Sequence, residues 1–308
     1  MNASSTATTA YTISESGSYY LAGDRLCTST GIIVTADNVT IDLMGYSLIG
    51  PGNTSSNYGV FMNANHNVEI KNGTVRSFQY GIYEGDTSGT GHRVIDIRVT
   101  GNSLCGIFMG STSNIIRGCT VNSNGTSAAL PVYGIWAGNG STVTDNQLYD
   151  NAKSCAASAI FILATGKSCI VSNNTAMNNG NNSSGSGSLY VISVERGSTV
   201  INNSTSSNGD SSSNSIRGIT TGEGCSIVGN SSSYNGDSST GLNVYGIYAG
   251  NGSTVTNNTA SYNGLSGSGT ATGLGFVGHN LVDQNTAFNN TTNFGTCTSC
   301  TLGNNYAP

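Results

Sequence analysis

Residues able to do acid–base chemistry gather in one short stretch. Glu84, Asp86, His92, Arg93 and Asp96 surround the loop Thr87-Ser88-Gly89-Thr90-Gly91. A histidine flanked by carboxylates has the composition of a general base. Mixed charge beside a glycine-rich loop is more simply a solvated surface, and that is the expectation here. Glu195-Arg196, with Glu223 one repeat later, forms a smaller group that is not expected to be an active site. His66 and His279 read as isolated loop residues. Glycoside hydrolysis requires two carboxylates across the scissile bond. After Glu223 only Asp237 and Asp283 remain, and neither paired aspartates nor a calcium-type repeat of glycines and aspartates occurs. No catalytic residue, metal site or cofactor is therefore expected.

A second chemical signal is aromatic. The phrase Tyr-Gly-Ile recurs, and if Ile82, Ile107, Ile135 and Ile247 point inward, the residues after them point out. That aligns Tyr83, Phe108 and Trp136, with Phe61 before them and Tyr248 further along. On adjacent coils of a solenoid such side chains stand about 4.8 Å apart. The stripe suits stacking on sugar rings, burial by another chain, or shielding of the strand surface. Small residues such as Ser193 and Thr220 interrupt it.

The elements that position these residues are repeats. One asparagine column reads Asn146, Asn174, Asn203, Asn230, Asn258 and Asn285; a second reads Asn124, Asn151, Asn179, Asn208, Asn235, Asn263 and Asn290. A fixed period marks a repeat architecture, here about ten coils of roughly 22 to 30 residues starting near Gly31, Tyr58, Tyr80, Cys105, Tyr133, Ala159, Leu189, Ile216, Tyr245 and Gly273. Asparagine tolerates left-handed turn geometry, and stacked amides hydrogen-bond along the column. Apolar residues alternate with period two over only three to five positions, so the elements are short strands, three to a coil. Ile70, Val94, Ile116, Val143, Val171, Val200, Ile227, Val255 and Val282 supply a second inward column. One narrow core needs few apolar residues per coil, which reconciles folding with 36% hydrophobic and 8% charged residues.

The run Tyr11-Thr12-Ile13 to Gly17-Ser18-Tyr19-Tyr20-Leu21, then Gly31-Ile32-Ile33-Val34, Asn38-Val39-Thr40-Ile41-Asp42-Leu43 and Asn67-Val68-Glu69-Ile70-Lys71-Asn72-Gly73-Thr74-Val75, resembles right-handed parallel β-helix repeat proteins of the pectate-lyase-like superfamily. The likeness runs from about Tyr11 to Asn290. It implies an all-β, single-domain, right-handed parallel β-helix (a solenoid). It implies no one activity, since that superfamily holds lyases, hydrolases, epimerases, phage spikes and adhesins.

Net charge −5 and pI near 5.0 make nucleic acid a poor partner. No apolar run is long enough to insert in a membrane, and Met1-Asn2-Ala3-Ser4-Ser5-Thr6 is no signal peptide. Richness in Asn, Ser and Thr with almost no lysine points to an extracellular or cell-surface location. About sixteen Asn-x-Ser/Thr sequons arise largely by composition, and some could carry attached glycan. Of the eight cysteines, Cys119 occupies an asparagine slot, and Cys169 and Cys225 align with Ser141 and Ser253; all three read as buried stack residues. Cys297-Thr298-Ser299-Cys300 reads as a local disulfide.

These features predict an N-terminal extension at 1–10, a β-helix at 11–290 and a C-terminal cap or tail at 291–308. The expected role is an extracellular structural or surface protein, not an enzyme. Its leading partner is itself: the uncharged segment Ala3 to Ala10 meets a tail without an evident cap, giving an end-to-end filament. The alternatives are a polysaccharide-acting β-helix enzyme and a carbohydrate-binding adhesin, either with a polysaccharide partner.

Overall fold

The computed structural model describes residues 8–52, 56–126, 130–185, 187–241, 243–297 and 299–308. Segment 1–7, most of the extension expected to mediate end-to-end contact, lies outside them, as does Thr298. The described residues form strands, turns and bends with no helix.

Twelve parallel strands, from Tyr11–Ile13 to Thr292–Phe294, make the first sheet. Every coil start read from the sequence falls on one of its strands or one residue before it. Within a strand such as Val132–Ala137, Tyr133 and Trp136 face outward while Gly134 and Ile135 between them are both buried. Glycine fills the first of the two consecutive inward positions on most coils, and Ile162 and Val191 are the exceptions. A Cβ on Gly106 would lie 2.6 Å from the carbonyl oxygen of Gly134 on the next coil. The isoleucine position stacks in register as Ile82, Ile107, Ile135, Leu163, Ile192, Ile219, Ile247 and Leu274, all buried.

A second ladder stacks Ile41, Ile70, Val94, Ile116, Val143, Val171, Val200, Ile227, Val255 and Val282. The third tapers along the chain. Its inward column runs Val75, Val99, Val121, Leu148, Ala176, Thr205, Ser232, Ala260 and Ala287. Thr205 and Ser232 are buried hydroxyls that remain satisfied: Thr205 Oγ1 donates to Ser232 Oγ (2.9 Å), which donates to Gly246 O (2.7 Å).

Asparagine ladders hold the corners. Asn146, Asn174, Asn203, Asn230 and Asn258 each donate Nδ2 to Oδ1 of the next asparagine at 2.9–3.0 Å, and Asn285 donates to Asn305 at 3.0 Å. The second ladder starts one coil earlier than its sequence column, at Asn102, and runs to Asn290. Each rung also ties backbone: Asn203 Oδ1 accepts from Asn174 N–H, and its Nδ2 donates to Val171 O. Residues preceding the ladder asparagines adopt positive φ, as at Asn173, Asn202 and Asn257.

Cys119 fills the head of the first ladder, its N–H donating to Asn146 Oδ1 at 2.9 Å. Cys169 and Cys225 lie in a third turn column, where their N–H groups donate to Ser198 and Ser253. Six cysteines are buried thiols, whereas Cys297 and Cys300 are bonded to each other. The coils continue past Asn290, since Thr292–Phe294 and Thr301–Leu302 both pair with the preceding coil and Tyr306 bridges to Thr286.

Candidate functional site

The cluster expected on a solvated loop divides between interior and surface. Glu84 and His92 are fully buried, which corrects the surface reading. Glu84 stands in a core column between Met62 and Met109. His92 Nδ1 accepts from Val68 N–H (3.2 Å), so its proton sits on Nε2, which meets Glu84 Oε1 at 3.0 Å. Glu84 Oε2 accepts from Ser111 N–H at 3.0 Å. Gly89 closes over the pair, leaving substrate no route to it. Asp86 remains outside, accepting from Ser88 N–H and Oγ, and these bonds hold its carboxyl below the usual range. Arg93 turns to Glu69 at 3.6 Å.

The first sheet presents two aromatic columns. Phe61, Tyr83, Phe108 and Trp136 stack in register at centroid separations of 6.2, 5.3 and 6.0 Å. Tyr248 belongs to the same column three coils beyond Ala164, with Ser193 and Thr220 in between. Sequence reasoning missed the parallel column three residues upstream: Tyr58, Tyr80, Tyr133, Phe161, Tyr190 and Tyr245. Its signal is the tyrosine that opens each Tyr-Gly-Ile phrase; strict period-two alternation conceals it, because two inward residues separate the outward ones. Tyr133, Phe161 and Tyr190 stack nearly face to face, at 5.3 Å and 10°, then 5.0 Å and 7°. Burial raises the phenols of Tyr83 and Tyr133 and pushes Tyr80 up to about 12.

Where the Trp136 column is replaced by Ala164, Ser193 and Thr220, a cleft of about 570 Å³ opens against Phe161 and Tyr190. The same three coils also depart from the repeat at the following turn. Flanking coils carry Asn139 and Asn251, whose amides accept from the backbone of the next coil; the three between carry Lys167, Arg196 and Glu223. Glu195 and Arg217 complete the lining, and every lysine or arginine after Lys153 lies in this cleft. Arg217 packs over the Tyr190, Tyr245 and Tyr248 rings at 4.6–5.9 Å. Among the described residues none of these five charged side chains has an ion-pair partner within 4.0 Å. Coincident loss of aromatic bulk and gain of charge without an ion-pair partner makes this cleft the candidate site, since departures from a repeat are expected where function demands them. Among the described residues, no three His, Cys, Asp or Glu side chains converge as a metal-binding group.

Stacked parallel coils with amide-ladder corners define the class: the chain is a right-handed parallel β-helix. No family model matches it, and no curated protein matches it in sequence. Among solved structures it is similar to the A-module of mannuronan C-5 epimerase AlgE4 from Azotobacter vinelandii, with 15% identity, 98% of this chain and 87% of that one covered, and TM-score 0.50. The AlgE6 A-module of the same organism gives 13%, 97%, 88% and 0.51. Pre-mature gene product 12 of bacteriophage phi29 gives 12% identity and TM-score 0.52, over 98% of this chain and 52% of that one. At these identities the likeness establishes the fold alone.

Proposed function

We propose that this protein binds an acidic polysaccharide along the aromatic face of its first sheet, with the cleft between Trp136 and Tyr248 as the discriminating site. The observation that carries this is the paired departure in three adjacent coils, where small residues make room beside Phe161 and Tyr190 and unpaired charge replaces turn asparagine. Aromatic faces stack on sugar rings. Three cations against two carboxylates favour an anionic sugar, with the carboxylates accepting from its hydroxyls. That structurally similar proteins are named for mannuronan supports a polysaccharide ligand. A surface or exported location is part of the proposal. This reading precedes end-to-end assembly because its parts converge on one cleft across three adjacent coils.

Retention on polygalacturonate, alginate and neutral cellulose oligomers tests it. Tyr190→Ala and Arg217→Gln should each weaken binding to an acidic polymer about tenfold, and salt should weaken it further by screening exposed charge. Binding that is absent for every polymer would refute the reading. Release of reducing ends or unsaturated uronate would make the same cleft catalytic.

A further inference from the structure

A second aromatic feature lies on a different corner of the solenoid. The residue before each asparagine of the second ladder from Asn124 onward sits in the left-handed region: Ser123, Asp150, Asn178, Ser207, Tyr234, Tyr262 and Asn289 have φ between 53° and 56°. Small or amide side chains suit that conformation, whereas a bulky ring there is a genuine outlier. Two tyrosines occupy it, on consecutive coils. Their rings stack at 4.8 Å and 2°, and the far side of Tyr262 is closed by the edge of Phe288 at 5.3 Å and 82°. On the other side the column drops to Ser207, and Tyr234 is 43% exposed. The stack thus ends in an uncovered ring face looking along a polar track of Ser207, Asn178, Asp150 and Ser123.

We infer that this corner is a second glycan site, in which a pyranose ring continues the tyrosine stack on the open face of Tyr234 while its hydroxyls bond to Ser207 and Asn178. Strained backbone retained at two successive positions points to use of the side chains, since asparagine or serine would fold the same turn at lower cost. A ring face bordered by hydroxyl, amide and carboxylate groups fits a sugar, which is apolar on its faces and hydrogen-bonding at its rim. Strands of the first sheet are not involved, so the two sites are separate. The inference shares with the proposed function only the premise that glycans are the ligands.

Isothermal titration with oligogalacturonate, mannuronate and cello-hexasaccharides decides it. The Tyr190→Ala/Arg217→Gln/Trp136→Ala protein, weakened along the first-sheet face, should still bind one hexasaccharide per chain at the tyrosine corner. Adding Tyr234→Ser should weaken that remaining binding at least tenfold, with a melting temperature equal to or above that of its parent, because serine is the native residue one coil earlier. Residual binding indifferent to Tyr234→Ser overturns the inference, as does a triple variant that binds nothing although the wild type binds. Failure of the wild type to bind any saccharide removes this inference and the proposed function together. A lower melting temperature or a loss of self-association in Tyr234→Ser, without a change in saccharide binding, would assign the rings to packing or to a second copy of the chain instead.

Discussion

Glu84→Gln changes one atom in a site with no spare acceptors. The carboxylate receives two donors, Ser111 N–H on Oε2 and His92 Nε2–H on Oε1, both at 3.0 Å. Glutamine offers one oxygen and one amino group. If the oxygen keeps Ser111, the amino group opposes His92 Nε2–H. Moving the ring proton to Nδ1 relieves that clash but then opposes Val68 N–H, which donates to Nδ1 in the native protein. Every arrangement leaves one fully buried donor unpaired, a loss of about 1–3 kcal/mol. Removal of a buried charge works in the opposite direction, so the lower half of that range is expected. For a chain of 308 residues the melting temperature should fall by about 1–3 °C. Calorimetry measures this, and the ¹⁵N shifts of the His92 ring report the tautomer directly. A variant that melts with the wild type and keeps the Nε2–H tautomer would refute the assignment of Glu84 as a double acceptor.

Asn203→Ala removes the acceptor for Asn174 N–H and the donor to Val171 O, and should destabilise by about 2–4 kcal/mol in chemical denaturation, whereas Ser206→Ala, half-buried on the outward face of the strand that follows, should be nearly silent. Trp136→Ala should weaken polysaccharide retention with little loss of stability, as judged by affinity electrophoresis beside a thermal melt. Burial raises the six buried thiols, Cys119 from 9.0 up to about 12, so native protein at pH 8 should leave them unreactive to a disulfide reagent and denatured protein should expose all six. The sign of the linkage follows: a thiol whose folded pKa exceeds its unfolded value contributes stability that is intact below pH 9 and lost as pH rises towards 12. Tyr80, raised from 10.0 to about 12, adds to the same alkaline loss, which a melting series from pH 8 to 11 would detect.

Recurrence made much of the architecture readable from the chain alone. The glycine of Tyr-Gly-Ile, the valine column and the ladder asparagines repeat because each coil meets the same neighbour above and below, so a local requirement is written once per turn. Cys119, Cys169 and Cys225 could be placed for the same reason, by the residues filling their slots on other coils. Ser231–Ser233 carries no such mark: a serine-rich stretch resembles a loop, and Ser232 is a core residue only because the third sheet narrows and Gly246 O accepts its hydroxyl. Glu84 resembles surface charge in the sequence, and only its inward strand position with a donor on either side makes burial tolerable. The cleft was the least visible feature. Phe161, Tyr190 and Arg217 are spread over 57 positions (161 to 217) and become neighbours because parallel pairing stacks each coil directly on the last. The sequence by itself therefore determined the repeat, its strands and its ladders, since these are set by contacts that recur at a fixed interval. The tertiary structure alone decided that the exceptions to the repeat open a cleft shared with Phe161, Tyr190 and Arg217, because which side chains face outward and meet across coils depends on register and on the paired inward positions of each strand.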